Sequence, residues 1–419
     1  MGNATPGDNI KGMVHPKSFS HSIIGARHSQ NDDYTLVNQE QGVYVLCDGV
    51  SEGGQGKFAS EMVCKSIQEK LIEANAYIRK NGAQLLGPKR LQAMQDRVLS
   101  AFSETQQNLQ KLAAQNENYR FAATTCIAVW MDGRFAILAH IGDSRAYLYR
   151  AGKLYQLTKD HSGLDELIKM GLPMEAALKN PMARSLTRAF GNARYTHPDL
   201  LKIEFQPNDL LFLCTDGVYT ALQGPSMQQF VQAMAQDQDL KPLLAQCAQK
   251  SGDDSSIVQI HFPVQMLHAS PLQASDRIKL IQQTPLSRHM DYIQRSHIAA
   301  ICEIEEYKAG SIVVQEGTEG ECMYIVAKGT LEILLKGQHL TYKKPGEFMG
   351  EVALVQQSKR TATAVAKEDT ILLSLKKQDL DEVFQKDPEM EKFFYKAMLQ
   401  MILDRMVQQG QEIAQLKGV

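Results

Sequence analysis

The stretch VLCDGVSEGGQGKFASEM, residues 45–62, decides the first reading of this chain. An apolar run ends in Asp48-Gly49, passes Gly53, Gly54 and Gly56, and then turns helical. A carboxylate at the mouth of a buried strand, beside flexible backbone, invites a search for others in the same position. DLLFLCTDG ends an apolar strand in Asp216-Gly217, and LAHIGDSR ends another in Gly142-Asp143. SGDDSS sets Asp253 and Asp254 before a strand-like run, and NDDY sets Asp32 and Asp33 before an early one. A lone Asp-Gly after a strand is an ordinary turn. Several strand-end carboxylates meeting in space could not stay buried and ionised without compensation. Hard divalent cations supply it, and an all-oxygen set suits Mg²⁺ or Mn²⁺ rather than zinc. No His or Cys cluster with zinc spacing competes.

The rest of the chain sets the frame. Its 419 residues are too many for one ordinary core, which predicts two or three domains. With 43% apolar and 22% charged residues it reads as a soluble globular protein. A formal charge of −2 points away from nucleic acid and membrane surfaces as partners. No apolar stretch is long enough to span a bilayer, and the polar start lacks a signal-peptide core. Met1-Gly2 is followed by Pro6, where a myristoylation signal wants Ser or Thr. Seven dispersed cysteines without a CxxC pair read as reduced thiols of a cytoplasmic protein.

Residues 1–16 form a polar arm, and VQMLHASPLQASD, 264–276, reads as a linker between domains. Between them, 17–263 alternates strand candidates (VYVLC, TTCIAVWM, RFAILAHI, RAYLYR, LKIEF, DLLFLC, SSIVQIHF) with helical periodicity in 56–80, 89–115, 226–235 and 239–250. Short glycine turns, as in YRAGKLYQL, predict antiparallel hairpins. Strand runs with grouped helices predict an α+β layered fold.

The ordered set Arg27…Asn31-Asp32-Asp33, CDGVSEGGQGKFAS, Thr124-Thr125, HIGDSRAYLYRAGKLYQLTKDHS, SLTRAFG, LLFLCTDG and SGDDSSIV resembles the metal-dependent protein phosphatases of type 2C, over essentially all of 18–262. The resemblance implies a four-layer αββα sandwich with a dinuclear metal centre at one end, hydrolysing phosphoserine and phosphothreonine in protein substrates. On it, Asp48 bridges two Mn²⁺ or Mg²⁺ ions with help from the Gly49 carbonyl. Asp216 and Asp253 complete one ion's shell, and Asp33 with Asp32 holds the other, partly through waters. Asp143, together with Asp216, serves a weaker third site. Two ions about 3.5–4 Å apart share a water, lower its pKa and aim it at phosphorus. Arg27 clamps the phosphate oxygens. Three departures stand out: Arg27 lies one residue further from the Asn-Asp-Asp triplet than is usual, VSEGG replaces a compact Gly-Gly, and Val50 stands where some eukaryotic members carry a histidine general acid. Segment 163–183 is similar to the variable flap beside the cleft.

The second region, 277–405, opens on helix-like residues and continues in short glycine-punctuated strands, the pattern of a β-roll. PGEFMGEVALVQQSKRTATAVA resembles the phosphate cassette of cyclic nucleotide-binding domains, with nine residues from Glu351 to Arg360. Gly350 lets backbone approach a ligand, and Glu351, Val352 and Ala353 open a short helix whose free N–H groups attract an anion. The resemblance pairs Arg360 with the cyclic phosphate of cAMP or cGMP and Glu351 with the ribose 2′-hydroxyl. Thr361 offers a hydroxyl toward guanine. In the tail, 388–419, Tyr395, Leu399, Ile402, Met406, Gln409, Ile413 and Leu416 recur at heptad spacing. The stripe fits a helix packed on its own β-roll or a homodimer helix. Three readings follow: a nucleotide-regulated serine/threonine phosphatase, a constitutive phosphatase with a scaffolding or dimerising β-roll, and a non-enzymatic second-messenger module. The full aspartate set argues against the last, and the intact Glu351 and Arg360 argue against the second.

Overall fold

Val43–Val50 (β3) is a strand buried on both sides: Val43, Tyr44, Val45, Leu46 and Cys47 are all 0% exposed. A continuous apolar run of this length belongs inside a sandwich, covered by a second layer on each face. In the computed structural model, which describes residues 16–50, 55–80, 88–191, 197–222, 224–262, 272, 274–355 and 358–416, those layers are present. The chain divides into two units, 1–268 and 269–419. Residues 1–15 of the expected arm and nine of the thirteen residues of the expected linker lie outside the described residues, and the linker's last three, 274–276, begin a helix.

In the first unit β3 belongs to a six-stranded antiparallel sheet. Its order is Asp33–Asn38 (β2), β3, Cys126–Asp132 (β5), Phe135–Ile141 (β6) and Asp199–Glu204 (β9), with the short Ala123–Thr124 (β4) pairing with Gly49 and Val50 at the end of β3. A five-stranded antiparallel sheet runs Lys17–Ile23 (β1), Ser255–His261 (β11), Leu210–Cys214 (β10), Arg145–Arg150 (β7) and Lys153–Gln156 (β8). The sheets meet where β1 and β11 pack on β2 and β3. Helices Gly56–Lys80 (α1) and Pro88–Gln115 (α2) cover the first sheet. Helical spacing puts Ala59, Val63, Ile67, Leu71, Ala74 and Ile78 of α1 on one buried face against Val43, Val45 and Cys47. Each such Val, Ile or Leu contributes about 1.5–3 kcal/mol of burial, offset by chain entropy. In the segment expected to form the flap, 163–183, the helices are Gly163–Lys169 (α3) and Met174–Lys179 (α4). Asp216–Ala221 (α5), Pro225–Ala235 (α6) and Lys241–Ser251 (α7) follow, and with the second sheet they bury Phe212, Cys214, Val218, Phe230, Met234, Leu244 and Ile257. The four-layer α+β sandwich expected from the sequence is the observed fold.

The second unit is a β-roll of two four-stranded sheets. One joins Glu303–Tyr307, Thr370–Lys376, Cys322–Lys328 and Phe348–Met349, and the other joins Ile312–Val314, Thr363–Ala366, Leu331–Leu335 and Gln338–Lys343. Four helices flank them: Ala274–Gln283 (α8), Tyr292–Ile301 (α9), Lys377–Lys386 (α10) and Pro388–Leu416 (α11). On α11 the packed face is Met390, Phe394, Ala397, Met398 and Met401. The heptad residues Leu399, Ile402 and Met406 are instead exposed, together with Leu403 and Val407, while the side chains of Gln409, Ile413 and Leu416 lie outside the described residues. No helix among the described residues is long and apolar enough to cross a membrane.

Candidate metal centre

Strand register, not chance proximity, gathers the acidic side chains. In the β2–β3 pair Asp33 stands directly opposite Asp48. Like charges directly opposite destabilise a strand pair. The β7–β10 pairing ends at Arg145 opposite Cys214, and just past that end Asp143 and Asp216 lie close enough for the Asp143 charge to act on Asp216. Asp253 joins from the turn between α7 and β11.

The electrostatics follow from this crowding. Burial, then the charges of Asp33, Asp216, Asp143 and Asp253, raises the Asp48 carboxyl well above the carboxylate range. Burial lifts Asp33 to about 8, and the neighbouring Asp254 and Asp216 add to it although hydroxyls of Ser256 and Thr215 oppose it. Asp216 is lifted to about 7 by burial and by Asp253 and Asp143. Asp143 is lifted to about 6 by burial and Asp160. Among the described residues, none of Asp33, Asp48, Asp143 and Asp216 forms an ion pair with lysine or arginine. A buried all-oxygen set of this kind, without a lysine or arginine partner among the described residues, fits a pair of hard divalent ions.

The supporting bonds are local and specific. The Thr215 hydroxyl donates to Asp33 Oδ2 at 2.9 Å and accepts from Ser256 N–H at 3.0 Å. Thr125 Oγ1 accepts from Asp48 N–H at 3.1 Å, and Thr124 Oγ1 donates to the Asp48 carbonyl at 2.7 Å. Asp254 is a clamp: its carboxylate accepts from the amides of Gly25 and Asp32, each at 2.7 Å. Gly49 N–H donates to the Asp32 carbonyl at 3.1 Å, and the Asp32 carboxylate accepts from Gln30 Nε2 at 2.9 Å.

Two cations lie near the centre, the expected Arg27 and a second, His28. Arg27 donates through Nη2 to the Ser251 carbonyl and packs on Gly252, so it grips the loop that carries Asp253. His28 faces the carboxylates, with Nδ1 3.2 Å from Asp254 Oδ2 and Nε2 3.5 Å from Asp253 Oδ1. Burial lowers the His28 pKa, but the Asp254 hydrogen bond and the charges of Asp254, Asp253 and Asp32 outweigh it and raise the value. The one-residue offset of Arg27 was the signal: His28 stands at the usual distance from the triplet. Beside the centre, a cleft of about 500 Å³ is lined by Arg145, Tyr147, Tyr219, Thr220, Leu222, Gly224 and Met227. Arg145 stacks 3.7 Å over the Tyr219 ring and is held by Asp160 at 2.7 Å.

In the second unit Gly350 adopts φ 77°, a left-handed conformation natural to glycine, and a Cβ there would strike the Arg360 guanidinium. The short turn Glu351–Leu354 follows, with Glu351 and Ala353 buried and Val352 exposed. Arg360 is fixed by its backbone, which donates to the Thr318 carbonyl at 2.7 Å and accepts from Gly317 at 2.8 Å. Its guanidinium lies 3.6 Å from Cys322 Sγ and 5.6 Å from the Tyr324 ring centre, and among the described residues it makes no ion pair. Thr361 is exposed beside it.

A layered sandwich ending in register-paired carboxylates, followed by a β-roll with a buried cassette turn, defines a phosphatase joined to a ligand-binding domain. Residues 24–257 match the family model described as protein phosphatase 2C, and residues 304–387 match that of the cyclic nucleotide-binding domain. The chain belongs to the protein phosphatase 2C family and carries a cyclic nucleotide-binding domain. A serine/threonine phosphatase of Listeria monocytogenes serotype 4b is 26% identical over 208 residues, 49% of this chain and 78% of the relative. Protein phosphatase PhpP of Streptococcus pneumoniae serotype 2 is 27% identical over 212 residues, 50% of this chain and 81% of its own. The solved serine/threonine phosphatase of S. agalactiae superposes with a TM-score of 0.50 at 25% identity, covering 59% of this chain and 99% of that one.

Proposed function

We propose that the first unit hydrolyses phosphoserine and phosphothreonine in proteins at a centre of two Mn²⁺ or Mg²⁺ ions, under control of cAMP or cGMP bound by the second. One observation carries the reading: burial and neighbouring charges, that of Asp253 among them, raise the pKa of Asp33, Asp48, Asp143 and Asp216, which have no lysine or arginine ion-pair partner among the described residues. Asp48 and the Gly49 carbonyl, with Asp216, Asp253, Asp33 and Asp32, would hold the two ions, and Asp143 would hold a weaker third. When bound, the paired ions supply the Lewis acid that activates water for in-line attack on phosphorus. The protein's own groups orient that chemistry: Thr215 aims Asp33, Thr125 and Thr124 fix the Asp48 backbone, and Arg27 with His28 offers cationic donors to the phosphate oxygens. With Val50 in place of a side-chain acid, the leaving alkoxide takes its proton from water.

In the second unit Arg360 pairs with the cyclic phosphate, Glu351 with the ribose 2′-hydroxyl, and Thr361 with a guanine base. An arginine without an ion-pair partner beside a left-handed glycine supports this assignment. Phosphate release from a phosphopeptide in Mn²⁺, with and without each nucleotide, tests both halves. A response of roughly 5–150-fold is expected. If calorimetry detects neither nucleotide, control by ligand falls. The exposed stripe Leu399, Ile402, Leu403, Met406 and Val407 favours a second reading, in which α11 pairs with a second copy and the β-roll dimerises a constitutive enzyme.

A further inference from the structure

His140, His161 and Asp199 form a second cluster of potential ligands, their donor atoms all within 4.8 Å of one another. The hydrogen bonds decide its role. Gly142 N–H donates to His161 Nδ1 at 3.1 Å, so Nδ1 is bare and the ring proton sits on Nε2. That Nε2–H donates to Asp199 Oδ2 at 3.0 Å, and Arg188 Nη1 donates to Asp199 Oδ1 at 2.7 Å. A protonated Nε2 has no lone pair to offer a cation, so the trio is a relay rather than a metal site.

The inner end of the relay is the turn that carries Asp143. His161 also donates its backbone N–H to the Gly142 carbonyl at 2.8 Å, so it holds Gly142 by both polar groups. Gly142 sits at φ 112°, and a side chain there would collide with Thr125. Across the turn, Ser144 Oγ lies 2.7 Å from Thr125 Oγ1, the atom that accepts from the Asp48 amide. Behind His161, the His140 ring packs at 4.6 Å between centroids, tilted by 36°, and burial drives its pKa down to about 3, which keeps it neutral. The Asp143 turn is thus clamped between a hydroxyl pair tied to Asp48 and a buried imidazole.

We infer that His161 is a positioning residue for cation binding at Asp143, with Asp199 and Arg188 fixing its tautomer and orientation. Without Asp199 the ring would sample the Nδ1–H tautomer, which sets one N–H against another at Gly142 and loosens the turn. The inference rests on the reading of Asp143 as the ligand of a third, weaker cation.

Calorimetric titration of the full chain with Mn²⁺ alone, each variant checked by circular dichroism, separates the two claims. The parent should show two tight binding events and a weak one, and Asp143→Ala should remove the weak one. His161→Gln keeps a donor toward Asp199 but no acceptor for Gly142, and should weaken that event by about 10–100-fold, the usual cost of losing an outer-shell partner. His161→Asn sets an amide oxygen where Nδ1 accepts and should retain most of the affinity. Asp199→Asn, altered at a half-exposed position, should show a smaller loss in the same direction. If Asp143→Ala removes the weak event while His161→Gln and Asp199→Asn bind like the parent, the inference falls and the Asp143 reading stands. Equal losses in His161→Gln and His161→Asn would also overturn it, since only ring bulk would then matter. A parent without a weak event, or one that survives Asp143→Ala, would overturn the reading of Asp143 itself.

Discussion

The two sites are built in opposite ways. The carboxylate centre is assembled from residues 33 to 253, each at the end of a different segment and each repelling the others. The proposed nucleotide cassette is instead a single stretch of sequence from Gly350 to Thr361, in which Arg360 makes no ion pair among the described residues. The first site exists only because strand register forces like charges together, so it stores electrostatic strain that a divalent ion relieves. The second stores none, and its empty and filled forms should differ far less in stability.

Breaking the carboxylate centre should have the largest effect. Asp48→Asn removes the shared ligand and should lower phosphatase activity by about 1000-fold or more, several kcal/mol of lost transition-state stabilisation. The same change relieves repulsion, so in EDTA the variant should melt above the parent by scanning calorimetry. A lower melting point in EDTA would contradict the account of strain.

The pH dependence of stability sharpens the contrast. Asp143, Asp216 and Asp33 hold their protons to about 6, 7 and 8 in the folded chain, whereas an unfolded aspartate loses its proton near 3.9. The folded state therefore binds more protons across this window. Its stability in EDTA is fully present below about pH 4 and falls as pH rises through about 8. Melting the EDTA-treated protein at pH 5 and pH 8 should show the higher value at pH 5, and Mn²⁺ should remove most of the difference. The second unit has no such buried carboxylate cluster among its described residues and should lack this trend.

Smaller effects are expected at single cations. Arg360→Ala should weaken nucleotide binding by about 10–100-fold in calorimetry, the worth of one charge-assisted contact. Arg27→Ala should raise KM by about 10-fold, less than a full bidentate clamp would cost, because its guanidinium already serves the Ser251 carbonyl. A larger KM change in His28→Ala than in Arg27→Ala would make His28 the main phosphate contact.

Much of this architecture could be read from the sequence because its elements are strongly marked. The helix at 56–80 carries a helical period, and the strands around Leu46 and Phe212 are short continuous apolar runs bounded by Asp-Gly. The tail was legible only in part: α11 is apolar on two faces, and heptad counting left packing on the β-roll and pairing with a second copy both open. The packed face is Phe394, Met398 and Met401, whereas the counted Leu399 and Ile402 are exposed. His28 was overlooked because a single histidine beside a salient arginine has no period of its own. Thr215, Thr125 and Ser144 were invisible as support, since hydroxyl partners are set by register between strands distant in sequence.

The central claim is that cations, and not the carboxylates alone, make this centre a catalyst. Phosphate release from a phosphothreonine peptide should be measured on the full chain and on Asp48→Asn, in Mn²⁺ and then in EDTA with Mn²⁺ restored. The account predicts activity in the parent that EDTA abolishes and Mn²⁺ restores, with Asp48→Asn nearly inactive throughout. Activity that survives EDTA, or an Asp48→Asn variant as fast as the parent, would contradict it.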